Sequence, residues 1–287
     1  MGSRPTALGV ARGVLAGSLA RFQSLHLGPF VSNSQLSLRR LSSTKPLLEQ
    51  HRQTKLVMQN EIQYKPRILC LHGFRTSASI LQKLIARWPE TVLQKLDLHF
   101  LDGPFPAQGK SDVEGIFYPP YYEWYQSNQD FTEYRNFEEC VAYMEDYMIN
   151  HGPFDGLLGF SQGAFLSAAV PGMQAQGVAF TRVPKIKFLV IISGSKFGGY
   201  KFRQPKLAAN AFSSPIECPS LHIIGEKDFL KPGGIDLLES FVNPVVIHHP
   251  KGHIIPRLGQ SIVFMIPSIL QDVCFTFPNL RRGYGSD

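Results

Sequence analysis

From Arg67 onward the chain alternates short apolar runs with stretches in which apolar residues return every third or fourth position. Arg67 to Leu71 and Leu96 to Leu101 read as strands, and between them Ile80, Leu81, Leu84, Ile85 and Trp88 keep helical spacing. The run from Phe154 to Phe160 leads directly into small and apolar residues from Gln162 to about Gln176, a strand followed at once by a helix. Ile186 to Ile192 ends in five consecutive apolar residues, as a strand covered on both faces should. Leu221 to Ile224 and Val245 to His249 supply a fifth and a sixth strand, with a short helix predicted around Ile235 to Phe241 between them. Asn136, with Glu139 three residues on, predicts a capping box for a helix that turns Val141, Met144 and Met148 inward and ends at Gly152-Pro153. A last helical stretch covers about Gln260 to Phe275, bent or reset at Pro267. Together these elements predict one α/β domain over residues 66–287, with about six mostly parallel strands and helices on both faces.

In such a sheet, ligands bind in the loops at the carboxyl ends of the strands. The third of these loops reads Gly159-Phe160-Ser161-Gln162-Gly163, a G-x-S-x-G turn with a strand before it and a helix after it. That setting pushes the Ser161 hydroxyl out at the top of the sheet, beside a helix N-terminus whose free N–H groups favour developing negative charge. A serine hydroxyl needs an adjacent base, itself held by a carboxylate, and on this scaffold both partners follow the serine in the chain. Asp228 falls just past the fifth strand, while Asp236 and Asp272 lie within helical patterns and Glu226 in an exposed turn. Of the nine histidines, His253 is the one in the loop after the sixth strand; His99, His222, His248 and His249 lie within strands, and His72 precedes Ser161 and is read as a brace for its own loop. The expected triad is therefore Ser161, Asp228 and His253. An oxyanion hole needs two backbone donors, and the candidates are the N–H of Gln162, next to the nucleophile, and that of Phe74, in the loop after the first strand.

With these residues in place the chain resembles the FSH family of serine hydrolases, small α/β-hydrolases with little lid structure. The likeness runs from about Pro66 to Ile269 and rests on Leu71-His72-Gly73-Phe74, Asp102-Gly103-Pro104, Gly152-Pro153-Phe154-Asp155-Gly156, the Ser161 turn, Ile192-Ser193-Gly194, Gly225-Glu226-Lys227-Asp228 and Gly252-His253. It implies an α/β-hydrolase fold, the same triad, and action on carboxylic esters or thioesters. No cofactor or metal is needed for that chemistry.

The segment from Phe105 to Arg135 is rich in aromatics, and Tyr121, Tyr122 and Trp124 are read as a short cap that lines a pocket for an apolar acyl or alkyl chain. Hydrolysis of a carboxylic ester through an acyl-enzyme is the leading expectation for this small-molecule site. A thioesterase and an acyltransferase use the same triad, and a small-molecule receptor on a hydrolase scaffold is the reading from another class. A nucleotide-dependent reductase is disfavoured, because the first strand ends in His72-Gly73-Phe74 without a G-x-G-x-x-G turn.

Charge changes the picture at one end only. The formal net charge of +7 includes Arg4, Arg12, Arg21, Arg39 and Arg40, and no acidic residue precedes Glu49. Setting those five aside leaves 24 basic against 22 acidic residues, too balanced to argue for nucleic acid. Residues 1–41 have the composition of a transit peptide, and Arg39-Arg40-Leu41 before Ser42-Ser43 favours a mitochondrial address over a plastid one, with residues 42–65 as a linker. Cys70, Cys140, Cys218 and Cys274 are scattered, which predicts free structural thiols and no metal site. No run approaches 18 apolar residues, so no membrane-spanning helix is expected.

Overall fold

The structure is a computed structural model that describes residues 65–258. The expected transit peptide, the linker up to residue 64, Cys274 and the helix expected over Gln260 to Phe275 lie outside the described residues.

The first strand, β1 (Arg67–Leu71), is followed by α1 (Ala78–Ile85), α2 (Glu90–Leu93) and β2 (Asp97–Leu101). After a long excursion come α3 (Phe137–His151), then β7 (Gly156–Phe160), α4 (Gln162–Gln176), β8 (Phe188–Ile192), β9 (Ser220–Gly225), α5 (Lys231–Leu238) and β10 (Val245–His249). The excursion is not a featureless loop. It holds two short antiparallel ladders, β3 (Phe105–Pro106) with β4 (Tyr122–Glu123) and β5 (Gln126–Ser127) with β6 (Tyr134–Arg135).

The main sheet runs β10-β9-β8-β7-β1-β2, and every neighbouring pair is parallel. The sheet begins with β1, steps outward to β2, and returns to the other side of β1 to build β7 through β10 in sequence. The reversal falls between β1 and β7, so the crevice of this sheet opens where their carboxyl ends lie side by side.

Strand residues alternate between two apolar faces because both are covered. Leu69, Leu71, Leu157, Leu189 and Ile191 join a cluster with α3 and α4, while Ile68, Cys70, Leu158, Val190 and Ile192 join one with Leu81, Ile85 and Trp88. Trp88 also donates its indole N–H to the Pro256 carbonyl at 3.1 Å, which ties the end of the described chain to this second face.

One local expectation fails. Asn136 sits at φ 60° in the left-handed region and makes no cap. Its side-chain amide donates instead to Gln126 Oε1 at 2.8 Å, so a tertiary partner has taken the group that the capping pattern assigned to the helix.

Candidate active site

The turn between β7 and α4 is tight enough to place Ser161 at φ 53°, ψ −118°. A side chain on Gly159 would strike the Gly163 carbonyl and Ala164 Cα, and one on Gly163 would strike the Leu71 and His72 carbonyls. The two glycines thus let the helix begin directly on the end of the strand and pass close under the end of β1. Ser161 is held in this strained conformation by its own N–H, which donates to Ile192 O at 3.0 Å, and by its carbonyl, which accepts from Ala164 and Phe165.

The loops after β9 and β10 stay paired beyond the strands. Glu226 N–H donates to His249 O at 2.8 Å and Lys227 N–H to Lys251 O at 3.1 Å. Asp228 and His253 meet at the end of that extension. His253 Nδ1 lies 3.0 and 3.1 Å from the two Asp228 oxygens, and His253 Nε2 lies 2.9 Å from Ser161 Oγ. Burial works against an ionised Asp228, yet hydrogen bonds from His253 and the Leu230 N–H outweigh it and hold the carboxyl below its ordinary value. A carboxylate only accepts, so Nδ1–H donates to Asp228, and Nε2 is left to accept the Ser161 hydroxyl proton. The imidazole is held between the rings of Phe160 and Phe229, at 5.0 and 4.6 Å.

Among the described residues neither Phe74 N–H nor Gln162 N–H donates a backbone hydrogen bond, while Gly163 N–H between the two loops donates to His72 O at 3.1 Å. Both expected donors are therefore free. His72 is a strut and not a base. Gly103 N–H donates to its Nε2 at 2.9 Å, so the proton sits on Nδ1 and is donated to Gly73 O at 2.8 Å. Burial drives its pKa down to about 4, with the Gly73 carbonyl and the Asp102 charge opposing in part, and the ring stays neutral.

Trp124 departs from the expected pocket wall. Trp124 has no exposed surface; its indole N–H donates to His72 O at 2.8 Å, and its ring lies 5.0 Å from that of His72. It is packed beneath the turn and cannot line a solvent-open pocket. Tyr122 is half-buried in β4, where its N–H donates to Thr76 O, and the Tyr121 hydroxyl donates to Phe117 O. Exposed apolar side chains in the same loops are Phe74, Phe229 and Ile254, each an expected donor or the chain neighbour of an expected triad residue.

Sequence reasoning also missed Glu123 and Arg75. Glu123 is a buried carboxylate in the middle of the aromatic run, and that position was the available signal. A groove of about 720 Å³ opens at the opposite end of the strands, with Gln174, Ile186 and Cys218 among its walls. It holds no part of the Ser161 constellation, and burial pushes the Cys218 thiol up to about 12, away from reactivity.

Comparison with known proteins adds lineage to this geometry. The family model described as serine hydrolase (FSH1) matches residues 60–265. Esterase OVCA2 of Homo sapiens is 30% identical over 214 residues, covering 68% of this chain and 91% of that protein. A protein of Schizosaccharomyces pombe named dihydrofolate reductase is 30% identical over 209 residues, 67% of this chain, and the match spans 44% of that longer protein. Among solved structures, Arabidopsis thaliana SOBER1 aligns at a TM-score of 0.44 and 16% identity, over 73% of this chain and 99% of that one.

Proposed function

The chain belongs to the serine hydrolase (FSH1) family, and from that premise we propose that it cleaves a carboxylic ester through an acyl-enzyme on Ser161, with His253 carrying the proton and Asp228 orienting the imidazole. The observation that supports this reading is the unbroken chain of hydrogen bonds from Asp228 through His253 to Ser161 Oγ. As His253 Nε2 accepts the hydroxyl proton, Oγ attacks the ester carbonyl carbon and the carbonyl oxygen becomes an oxyanion facing the Phe74 and Gln162 N–H groups. Collapse expels the alcohol, which takes the proton from His253, and a water activated by the same imidazole releases the acid. The exposed rings of Phe74 and Phe229 offer apolar contact for the acyl or alkyl part of the ester.

Steady-state hydrolysis of matched acyl p-nitrophenyl esters and acyl-CoA thioesters, short to long, tests the proposal on the full chain and its Ser161→Ala variant. The expected result is ester turnover that falls on the order of 10⁴-fold or more in the variant. Equal rates in both proteins overturn it and leave a receptor on a hydrolase scaffold. We also propose a mitochondrial address from the acid-free, arginine-bearing composition of residues 1–41. An N-terminus near Ser42 on protein recovered from that organelle is expected, and an intact Met1 refutes it.

A further inference from the structure

The two proposed oxyanion donors come from different loops, Phe74 after β1 and Gln162 after β7, and they work together only if both N–H groups converge on one point. A single three-residue strip, Glu123-Trp124-Tyr125, is hydrogen-bonded to both loops. On the Phe74 side, Glu123 Oε1 accepts from Arg75 Nε at 2.7 Å and from Gln108 N–H at 3.2 Å, while Oε2 accepts from Gln126 Nε2 at 3.0 Å. Arg75 is the residue after Phe74. Its guanidinium lies over the Phe74 ring at 4.6 Å, and its Nη1 donates to Lys110 O at 3.1 Å. On the nucleophile side, the Gln162 side chain behaves like a neighbouring strand. Its Oε1 accepts from Trp124 N–H at 3.0 Å, and its Nε2 donates to Tyr125 O at 2.8 Å. A donor on one partner and an acceptor on the other fix the orientation of the amide, since the flipped amide satisfies neither. The strip also reaches the start of the Phe74 loop, through the Trp124 indole N–H on His72 O.

Glu123 and Gln162 are both buried. Taking a carboxylate and an amide out of water costs free energy that apolar side chains of the same size would not, so packing alone gives no reason for either. A fully partnered polar network does supply fixed relative position. We propose that Glu123-Trp124-Tyr125 is a brace that sets the spacing of the oxyanion donors, with Arg75, Glu123 and the side chain of Gln162 as its positioning residues. This rests on the reading of Phe74 and Gln162 N–H as the oxyanion donors. It gives Gln162 two separate tasks, one for its main chain and one for its amide.

The test uses the full chain with Gln162→Met, which keeps volume and backbone N–H but loses both amide bonds, and with Arg75→Met. kcat is taken per site titrated to end point with a fluorophosphonate. Each variant is expected to lose on the order of tenfold to 10²-fold in kcat, with KM within about twofold and the acid limb of the kcat/KM profile unmoved, because the triad is untouched. Affinity for an alkyl trifluoromethyl ketone, whose hemiketal oxygen occupies the hole, falls in the same proportion. The double variant loses less than the product of the singles, because both act on one strip. Arg75→Lys, which leaves a charge for Glu123, recovers part of the loss in Arg75→Met, and it carries the test if Gln162→Met does not fold. Lower melting temperature with kcat per titrated site within about twofold of the parent is what a merely structural strip gives, and it overturns the brace. Equal hydrolysis by Ser161→Ala and the parent strikes the hydrolase reading itself and this inference with it. Ser161-dependent hydrolysis with kcat-neutral brace variants strikes the inference alone.

Discussion

Acidification from pH 6.5 to 4.5 is expected to remove about 5 kcal/mol of this protein's stability, chiefly through two histidines far from solvent. Burial lowers His72 from the ordinary 6.5 to about 4 and His222 to about 3. For His72 the Gly103 hydrogen bond acts in the same direction, against the opposing Gly73 carbonyl. A second proton on Nε2 would face the Gly103 N–H that now donates to it, exchanging a bond for a clash. His222 Nε2 lies 3.0 Å from the Ser220 hydroxyl, and its ring packs against Phe241 at 4.9 Å. Because the folded values lie below the unfolded one, the unfolded chain binds more protons under pH 6.5. Stability is therefore complete above that pH and declines as pH falls, until about pH 4 for His72 and about pH 3 for His222. Each group contributes a slope of about 1.4 kcal/mol per pH unit inside its window, so the pair removes about 5 kcal/mol between pH 6.5 and 4.5. Domains of this kind have about 5 to 15 kcal/mol in total. Burial lowers His249 too, against the opposing charges of Asp228 and Glu226. Asp228 and Glu226, both held below their ordinary values, protonate at lower pH and leave this window to the histidines.

Urea unfolding followed by the fluorescence of the buried Trp88 and Trp124 measures the effect at pH 7.5, 6.5, 5.5 and 4.5. His222→Gln keeps a polar partner for Ser220 but does not titrate, and it should remove about 2 kcal/mol of the loss. A parent whose unfolding free energy changes by less than about 1 kcal/mol between pH 6.5 and 4.5, at constant m, refutes the reasoning. So does a His222→Gln variant with the parent's full slope.

Ser161→Gly should be inactive but no less stable than the parent, since it removes a positive-φ strain on the order of 1 to 3 kcal/mol; a lower melting temperature contradicts the strained turn. Gly163→Ala should lose both activity and at least about 2 kcal/mol of stability, because the added methyl meets backbone carbonyls of Leu71 and His72 that cannot rotate away; near-parental unfolding free energy contradicts that packing. Trp124→Phe should cost about 1 kcal/mol, through the lost indole N–H bond to His72 O, and leave the acyl chain-length preference in the ester series unchanged. A shifted preference would return Trp124 to the wall of the substrate site.

The strands were legible because a parallel sheet covered on both faces writes itself as continuous apolar runs, but those runs overstate strand length. Leu96 and Ile186 are buried and apolar, yet they lie before β2 and β8 and serve packing, not pairing. Helix starts were less legible. α5 begins at Lys231, ahead of the expected Ile235, because Pro232 lies in its first turn, where a missing N–H costs nothing. Gly233 and Gly234 follow, and they hide the start from any propensity argument. Gly233 is there for space, since a side chain would meet Ser195.

The same division runs through the site. The proposed triad of Ser161, Asp228 and His253 could be read from the sequence because the fold puts chemistry at strand ends in a fixed chain order, with Glu226 the one carboxylate that shares a strand end with Asp228. The roles of Gln162's amide, Arg75 and Glu123 could not be named, because each depends on a partner 38 or 48 residues away and on the face a side chain turns. Composition marked residues 105–135 as aromatic, and aromatics suit a pocket rim and a buried strut equally well. The Trp124 indole N–H, donated inward to His72 O, decides for the strut. A polar residue inside an apolar run is the part of such a segment that composition cannot explain away. Glu123, between Tyr122 and Trp124, is that residue here, and its partners Arg75 and Gln126 make the segment part of the machinery around Ser161 and not a cover laid over it.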